Sequence, residues 1–356
     1  MKFSSLPLEV LQITLRLIPK GSLAPASQLP YRLYAGDIQR QTEFLKTIID
    51  EDENENEHTP RLSHYIKHLS VESTLNKEEL EVFALAVVKM KNLERLDWCV
   101  SFLKDIGWYA TLVLFYQELP KLRSLGLTTA ENEIPLGDLD ECVAFTNLRE
   151  LSVTFDVLTV DDIGPDSGLP RTFVDLIRGA RNIESLCLHF TDDGSGSAPW
   201  ESTDLLSELV LDHFPNLRML EIRSQHLVLI DDHNGPEFRQ FIQNHSQIEK
   251  IRLLTGGYDY SFWPLSRPQL IVTPADMEIM PCIRHFAGPG LLIEALLKSK
   301  LAKKIELLEF HEPTNAAFGS LWNSLLYLDS WTLPELPSLK GLGIFADIDE
   351  AGKCNE

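Results

Sequence analysis

One pattern of apolar positions recurs along the chain: an apolar residue, two variable residues, an apolar residue, one variable residue and a further apolar residue. It reads IKHLSV at 66–71, LERLDW at 93–98, LRSLGL at 122–127, LRELSV at 148–153 and IESLCL at 183–188. It continues as LRMLEI at 217–222, IEKIRL at 248–253, IELLEF at 305–310 and LKGLGI at 339–344, with a degenerate copy, IRHFAG, at 283–288. The copies stand about 30 residues apart, which is a repeat period; individual intervals of about 22 to about 35 exclude a strictly regular array and place insertions of unequal length at the surface. The alternating end of each copy predicts a short strand with one buried face.

Between these strands the spacing predicts helices over Lys77 to Met90, Trp108 to Glu118, Thr172 to Gly179, Asp204 to Asp212, Glu237 to Asn244 and Leu291 to Lys300. Asn76 with Glu79 reads as a capping box at the start of the first. Several units pass from helix to strand through a proline, at Pro120, Pro215 and Pro337, and proline cannot continue a helix. A strand, a helix and a strand in the same sense, repeated many times, give a solenoid with a parallel sheet on one side and helices on the other. These strands with helical returns resemble the leucine-rich-repeat proteins of the longer, helix-containing kind, over residues 60–346. The resemblance implies an α/β leucine-rich-repeat solenoid, a curved parallel sheet on the concave side and helices on the convex side. The chain departs from the family pattern in having no regular Asn after the strand, so no ordered asparagine ladder is expected.

Ahead of the repeats, a helix beginning near Pro7 places Leu8, Leu11, Leu15 and Ile18 on one face and Val10, Ile13 and Leu17 on its neighbour. An apolar surface that wide must be buried, on the chain itself or on a partner. The opening Leu6-Pro7-Leu8-Glu9-Val10-Leu11, an apolar helix and then Pro19 resemble the start of an F-box, the short helical module that docks on a Skp-family adaptor of a cullin ubiquitin ligase. The resemblance implies that Leu6, Pro7, Val10, Leu11 and Leu15 meet the adaptor. Leu23 to Tyr34 stands where such a module carries its second helix, although Pro25 and Pro30 interrupt it, and Gln41 to Ile49 with Pro60 to Ile66 looks like the junction to repeats in fungal F-box proteins. The alternative is that residues 1–40 cap the open end of the first repeat. The expected organisation is an F-box-like helical segment over 1–40, an acidic linker over 41–60, about ten irregular repeats over 61–346 and a polar tail over 347–356. The run Glu51 to Glu57 reads as a solvated acidic loop, without the alternating oxygen-ligand spacing of a calcium loop.

Composition narrows the function. The 356 residues carry 32 Lys+Arg against 53 Asp+Glu, a net charge of −21, with no basic cluster of the kind that binds phosphate backbones or anionic lipid. No nucleic acid and no membrane partner is expected. No apolar run approaches the ~20 residues that span a bilayer, and Glu9, Gln12 and Arg16 break the uncharged core that a secretion signal requires. Five cysteines, Cys99, Cys142, Cys187, Cys282 and Cys354, without any CxxC, fit neither a disulfide framework nor a zinc module and point to the cytosol or nucleus. Gly194-Ser195-Gly196-Ser197 lacks the Lys and the strand-to-helix setting of a phosphate loop, and Asp231-Asp232-His233 reads as a polar turn. No catalytic set, metal or cofactor is expected, and the chain reads as a non-catalytic protein-interaction protein.

Its expected binding surface is the concave sheet face, where the residues between the strand leucines point. In chain order that face presents His68, Ser70 and Glu72, Arg95 and Asp97, Ser124 and Thr128, Glu150, Ser152 and Thr154, and Ser185 and His189. Met219, Glu221 and Arg223, Lys250 and Arg252, His285, and Glu309 and His311 follow. The candidate target-binding residues are Arg95, Asp97, Glu150, Glu221, Arg223, Lys250 and Arg252; Arg223, Lys250 and Arg252 gather positive charge on adjacent repeats, suited to an acidic peptide or phosphate. Two readings stay open: a substrate-recognition subunit of a Skp-cullin-F-box ubiquitin ligase, as the resemblance implies, and a repeat scaffold with no ubiquitin connection.

Overall fold

The structure is a computed structural model that describes residues 31–33, 38–50, 61–71, 74–100, 107–129, 145–157, 171–192, 202–224, 235–255, 273–311 and 335–345. The residues expected to meet an adaptor, Leu6, Pro7, Val10, Leu11 and Leu15, together with Glu72, the expected polar tail at 347–356, Cys142, Cys354 and the loops at 194–197 and 231–233, lie outside the described residues.

Eleven strands form one sheet in chain order: β1 Tyr31–Leu33, β2 His68–Val71, β3 Arg95–Val100, β4 Ser124–Thr129, β5 Glu150–Val157, β6 Ser185–Asp192, β7 Met219–Ser224, β8 Lys250–Thr255, β9 His285–Gly288, β10 Leu307–His311 and β11 Gly341–Phe345. Each pairs in parallel with the next. The apolar pattern sets the register residue by residue. Leu69, Leu96, Leu125, Leu151, Leu186, Leu220, Ile251, Phe286 and Leu308 form one rung across the sheet, each almost wholly buried. Val71, Trp98, Leu127, Val153, Leu188, Ile222 and Leu253 form the next. Burying three such side chains per repeat contributes a gross of roughly 5 to 9 kcal/mol before chain entropy is set against it. The degenerate copy has a packing reason: a Cβ on Gly288 would stand 3.1 Å from the Phe286 ring, so the larger ring occupies the space its neighbour's side chain would need.

Helices α1 Ile38–Asp50, α2 Lys77–Val87, α3 Trp108–Glu118, α4 Arg171–Gly179, α5 Ser202–Leu209, α6 Gly235–Asn244, α7 Pro274–Met277 and α8 Gly290–Lys298 alternate with the strands. Their buried sides, such as Phe83, Ala86 and Val87 of α2 and Phe238, Phe241 and Ile242 of α6, join the strand rungs in one continuous core. The capping box at α2 is present: Asn76 Oδ1 accepts the Glu79 N–H at 3.0 Å and Glu79 Oε2 accepts the Asn76 N–H at 2.9 Å. The helices lie where the periodicity predicts them within a few residues; the single-turn α7, with its own capping box at Thr273 and Asp276, is additional.

The packed structure starts ahead of residue 61. β1 extends the sheet at the side of β2, and α1 runs through residue 50 with Phe44, Leu45 and Ile48 buried, so residues 41–50 are a core helix and not acidic linker. The acidic run that follows masks this amphipathic stretch when composition is read over the whole segment.

Two regular features stand where each strand begins. The residue before the first apolar position of a unit caps the preceding turn: Asn92 donates to the His64 carbonyl at 2.7 Å, Asn182 to Thr146 at 3.0 Å, Gln247 to Phe214 at 2.9 Å and Ser338 to Lys303 at 2.7 Å. Polar side chains therefore recur at one position of the unit, just before the strand. One residue past that apolar position, charges alternate from unit to unit except where Arg123 precedes Arg149. Lys67 pairs with Glu94 at 3.1 Å, Arg149 with Glu184 at 3.1 Å, Arg218 with Glu249 at 3.4 Å, and Glu306 with both Arg284 at 3.3 Å and Lys340 at 2.6 Å. Exposed pairs of this kind are each worth well under about 1 kcal/mol, so they mark register more than they hold the fold together.

Inside the core, His245 is fully buried and its tautomer is fixed. Nε2 accepts the Phe214 N–H at 3.0 Å, so Nδ1 carries the hydrogen it donates to the Phe241 carbonyl at 2.7 Å. Burial, reinforced by neighbouring His213, holds this imidazole below its ordinary pKa and hence neutral.

Candidate binding face

Side chains alternate across a strand, so the positions between the buried rungs form the opposite, open face. The register arranges them in cross-strand rows. One row runs His68, Arg95, Ser124, Glu150, Ser185, Met219, Lys250, His285 and Leu307, and the next runs Ser70, Asp97, Gly126, Ser152, Cys187, Glu221, Arg252, Ala287 and Glu309. A third includes Thr128, Thr154, His189, Arg223 and Leu254. All seven candidate target-binding residues lie on this face.

They fall into two groups. On β3 to β5, Arg95 clasps Asp97 of its own strand, Nε to Oδ2 at 2.9 Å and Nη2 to Oδ1 at 3.1 Å, and reaches toward Glu150 at 4.0 Å. Gly126 makes this possible, because a Cβ there would stand 2.4 Å from Asp97 Oδ1. Both carboxylates are partly solvated, and with two of them against one guanidinium this end of the face is net negative.

On β6 to β10 the groups are drawn together far more tightly. Glu221, only 6% exposed, accepts from His189 Nε2 at 2.9 Å and from Arg252 Nη1 at 2.7 Å. Arg252 Nε then lies 3.6 Å from Glu309 Oε2, beyond hydrogen-bond length, and His311 Nε2 lies 3.6 Å from the same oxygen. Ala287 stands between Arg252 and Glu309 in the row, and its methyl group lets the guanidinium span β9. Burial opposes ionisation of Glu221, but the His189 hydrogen bond and the Arg252 charge outweigh it and hold the carboxyl at about 2. Burial and the Arg252 charge push His311 below its ordinary value, against Glu309. The Cys187 thiol is pushed up to about 11 by burial and then by the charge on Glu221, so at neutral pH it is a thiol and no nucleophile.

This geometry changes the expected basic cluster. Arg252 is spent on internal carboxylates, leaving Arg223, which is exposed, and Lys250, which is half-buried; among the described residues neither makes an ion pair. His189, Glu309 and His311 belong to the network although the sequence gives them no separate emphasis. Their row follows from the repeat, but pairing between β8 and β10 depends on the small residue between them.

Among the described residues no group of three or more His, Cys, Asp or Glu side chains is placed to hold a metal ion, and no helix is long and apolar enough to cross a membrane. No protein-family model matches the chain, and no curated protein matches it either.

Proposed function

We propose that this chain is a non-catalytic recognition protein: a leucine-rich-repeat solenoid that holds a protein target on its open sheet face and acts as the substrate-recognition subunit of a Skp-cullin-F-box ubiquitin ligase. The observation that carries the recognition half is the Glu221 network. A carboxylate almost wholly buried on a sheet face, fixed by His189 and Arg252 from the strands on either side, is a pre-organised floor on which the free charges around it meet a partner with little ordering cost. The Cys187 thiol beside it is held protonated and so is not primed as a nucleophile. The ligase half rests on the resemblance of Leu6, Pro7, Val10, Leu11 and Leu15 to an F-box opening. The alternative keeps the same face on a scaffold whose N-terminus is only a cap.

Co-purification of the full chain with a Skp-family adaptor separates the two. The ligase reading expects capture by the wild type and loss with Leu11→Asp, which puts a charge at the centre of the apolar face. A wild type that captures no adaptor, or a variant that captures as much, leaves the scaffold.

A further inference from the structure

We infer that the target is engaged as an extended acidic segment, with two carboxylates about four residues apart read by Lys250 and Arg223. The inference rests on the open sheet face being the recognition face, but not on the ligase assignment.

Three observations lead to it. First, the chain carries a net charge of −21, and the β3 to β5 end of the face follows that sign, with Asp97 and Glu150 against Arg95. Over β7 and β8 the sign reverses: Arg223, Lys250 and Arg252 stand against Glu221, and still outnumber the carboxylates when Glu309 of β10 is added. Second, that excess is not diffuse. Arg252 is held internally by Glu221 at 2.7 Å, so the groups left to meet a partner are Arg223 and Lys250. Third, the register fixes their separation. Lys250 stands beside Met219 in one row, and Arg223 is four residues further along the same strand as Met219. At ~3.3 Å per residue the two cations are offset by about 13 Å along the strand direction, the distance between side chains i and i+4 of an extended peptide.

The floor between them adds a second condition. Glu221 and Arg252 lie in the intervening row, already neutralising one another, with Glu309 beyond. A carboxylate at the middle position would meet Glu221 and Glu309 with no unpaired cation, so the recognised segment is acidic at its two ends and uncharged between. An α-helix, at about 1.5 Å per residue, would span the same distance only with carboxylates about eight or nine residues apart, so the i and i+4 spacing is the mark of an extended segment. A nucleic-acid strand would place phosphates over the middle row as well, against those carboxylates.

Selection of a displayed random-peptide library on the full-length protein tests this directly. The expected result is enrichment of sequences with Asp or Glu at i and i+4 and an uncharged residue at i+2. The enriched peptide should then lose about threefold to tenfold in affinity, measured by fluorescence anisotropy, on Arg223→Gln with Lys250→Gln, the range that two solvent-accessible ion pairs supply. Thermal stability should not change, since neither side chain makes an ion pair among the described residues. Enriched peptides that lack the acidic pair, or binding untouched by the double substitution, overturn the inference while leaving a recognition face in place. A labelled oligothymidylate that competes for the same residues overturns it in favour of nucleic acid. Failure to enrich any peptide counts against the inference and the recognition face together, whatever the adaptor experiment gives.

Discussion

Replacing Glu221 with Gln probes a deeply buried ionic centre of the sheet face. The substitution keeps the size of the side chain but removes the charge that faces His189 at 2.9 Å and Arg252 at 2.7 Å, leaving Arg252 with Glu309 at 3.6 Å. Two routes give the magnitude. A folded-state pKa of about 2 against an ordinary 4.5 corresponds to about 3 kcal/mol of stability at neutral pH. Removing one partner of a buried pair costs about 3 to 5 kcal/mol by mutational precedent, so about 3 kcal/mol is the expected loss. Its pH dependence has a definite sign. Because the carboxyl pKa is depressed on folding, the unfolded chain takes up a proton first as pH falls. The stabilisation is complete above 4.5, declines as pH drops from there toward 2, and is gone below that. Urea unfolding of wild type and variant followed by far-UV circular dichroism, at about pH 7 and again at about pH 3, measures it, and the difference between the two proteins cancels the other carboxylates. A gap of about 3 kcal/mol at neutral pH that narrows in acid is expected, with much of it recovered when Glu221→Leu is combined with Arg252→Met. A gap under about 1 kcal/mol at neutral pH, or one that does not change with pH, refutes the reasoning.

Two further outcomes are expected. Leu186→Asp, at a fully buried position in the middle of the sheet, should cost more than about 4 kcal/mol and abolish the cooperative transition seen by circular dichroism, because it removes core contacts and buries an unpaired charge. His245, held neutral by burial between Phe214 and Phe241, makes the fold lose stability as pH falls below its ordinary value of 6.5, since the unfolded chain then binds a proton the core does not. Melting temperatures should fall more steeply from about pH 7 to about pH 5.5 in the wild type than in His245→Gln, and equal slopes would mean that the ring is protonated in place.

The spacing of leucines specifies far more than a strand count. Because side chains alternate with a period of two, placing Leu96, Leu125 and Leu151 inward also placed Asp97, Gly126 and Ser152 outward in one row, and the structure pairs them that way. Locally encoded features were legible for the same reason, as with the Asn76 and Glu79 capping box. What escaped was context. β1 is three residues long and carries no complete copy of the pattern, so only its pairing with β2 reveals it. The buried side of α1 was obscured by the acidic residues after it. The fate of Arg252 could not be read from its own repeat, because its partners Glu221 and Glu309 come from the strand before it and the strand after next, and access to the latter depends on Ala287.

The alternating charges at the start of each unit bear on how such a chain can change length. Excising the unit that contains Glu184 would set Arg149 beside Arg218, cation against cation, whereas excising it together with the unit of Arg218 brings Arg149 to Glu249 and restores an attraction. The same parity applies to duplication anywhere from Arg149 to Lys340. Each mismatch is individually small, but it adds to whatever the junction itself costs. Gains and losses of units in pairs are therefore the electrostatically neutral route by which this protein's architecture can grow or shrink.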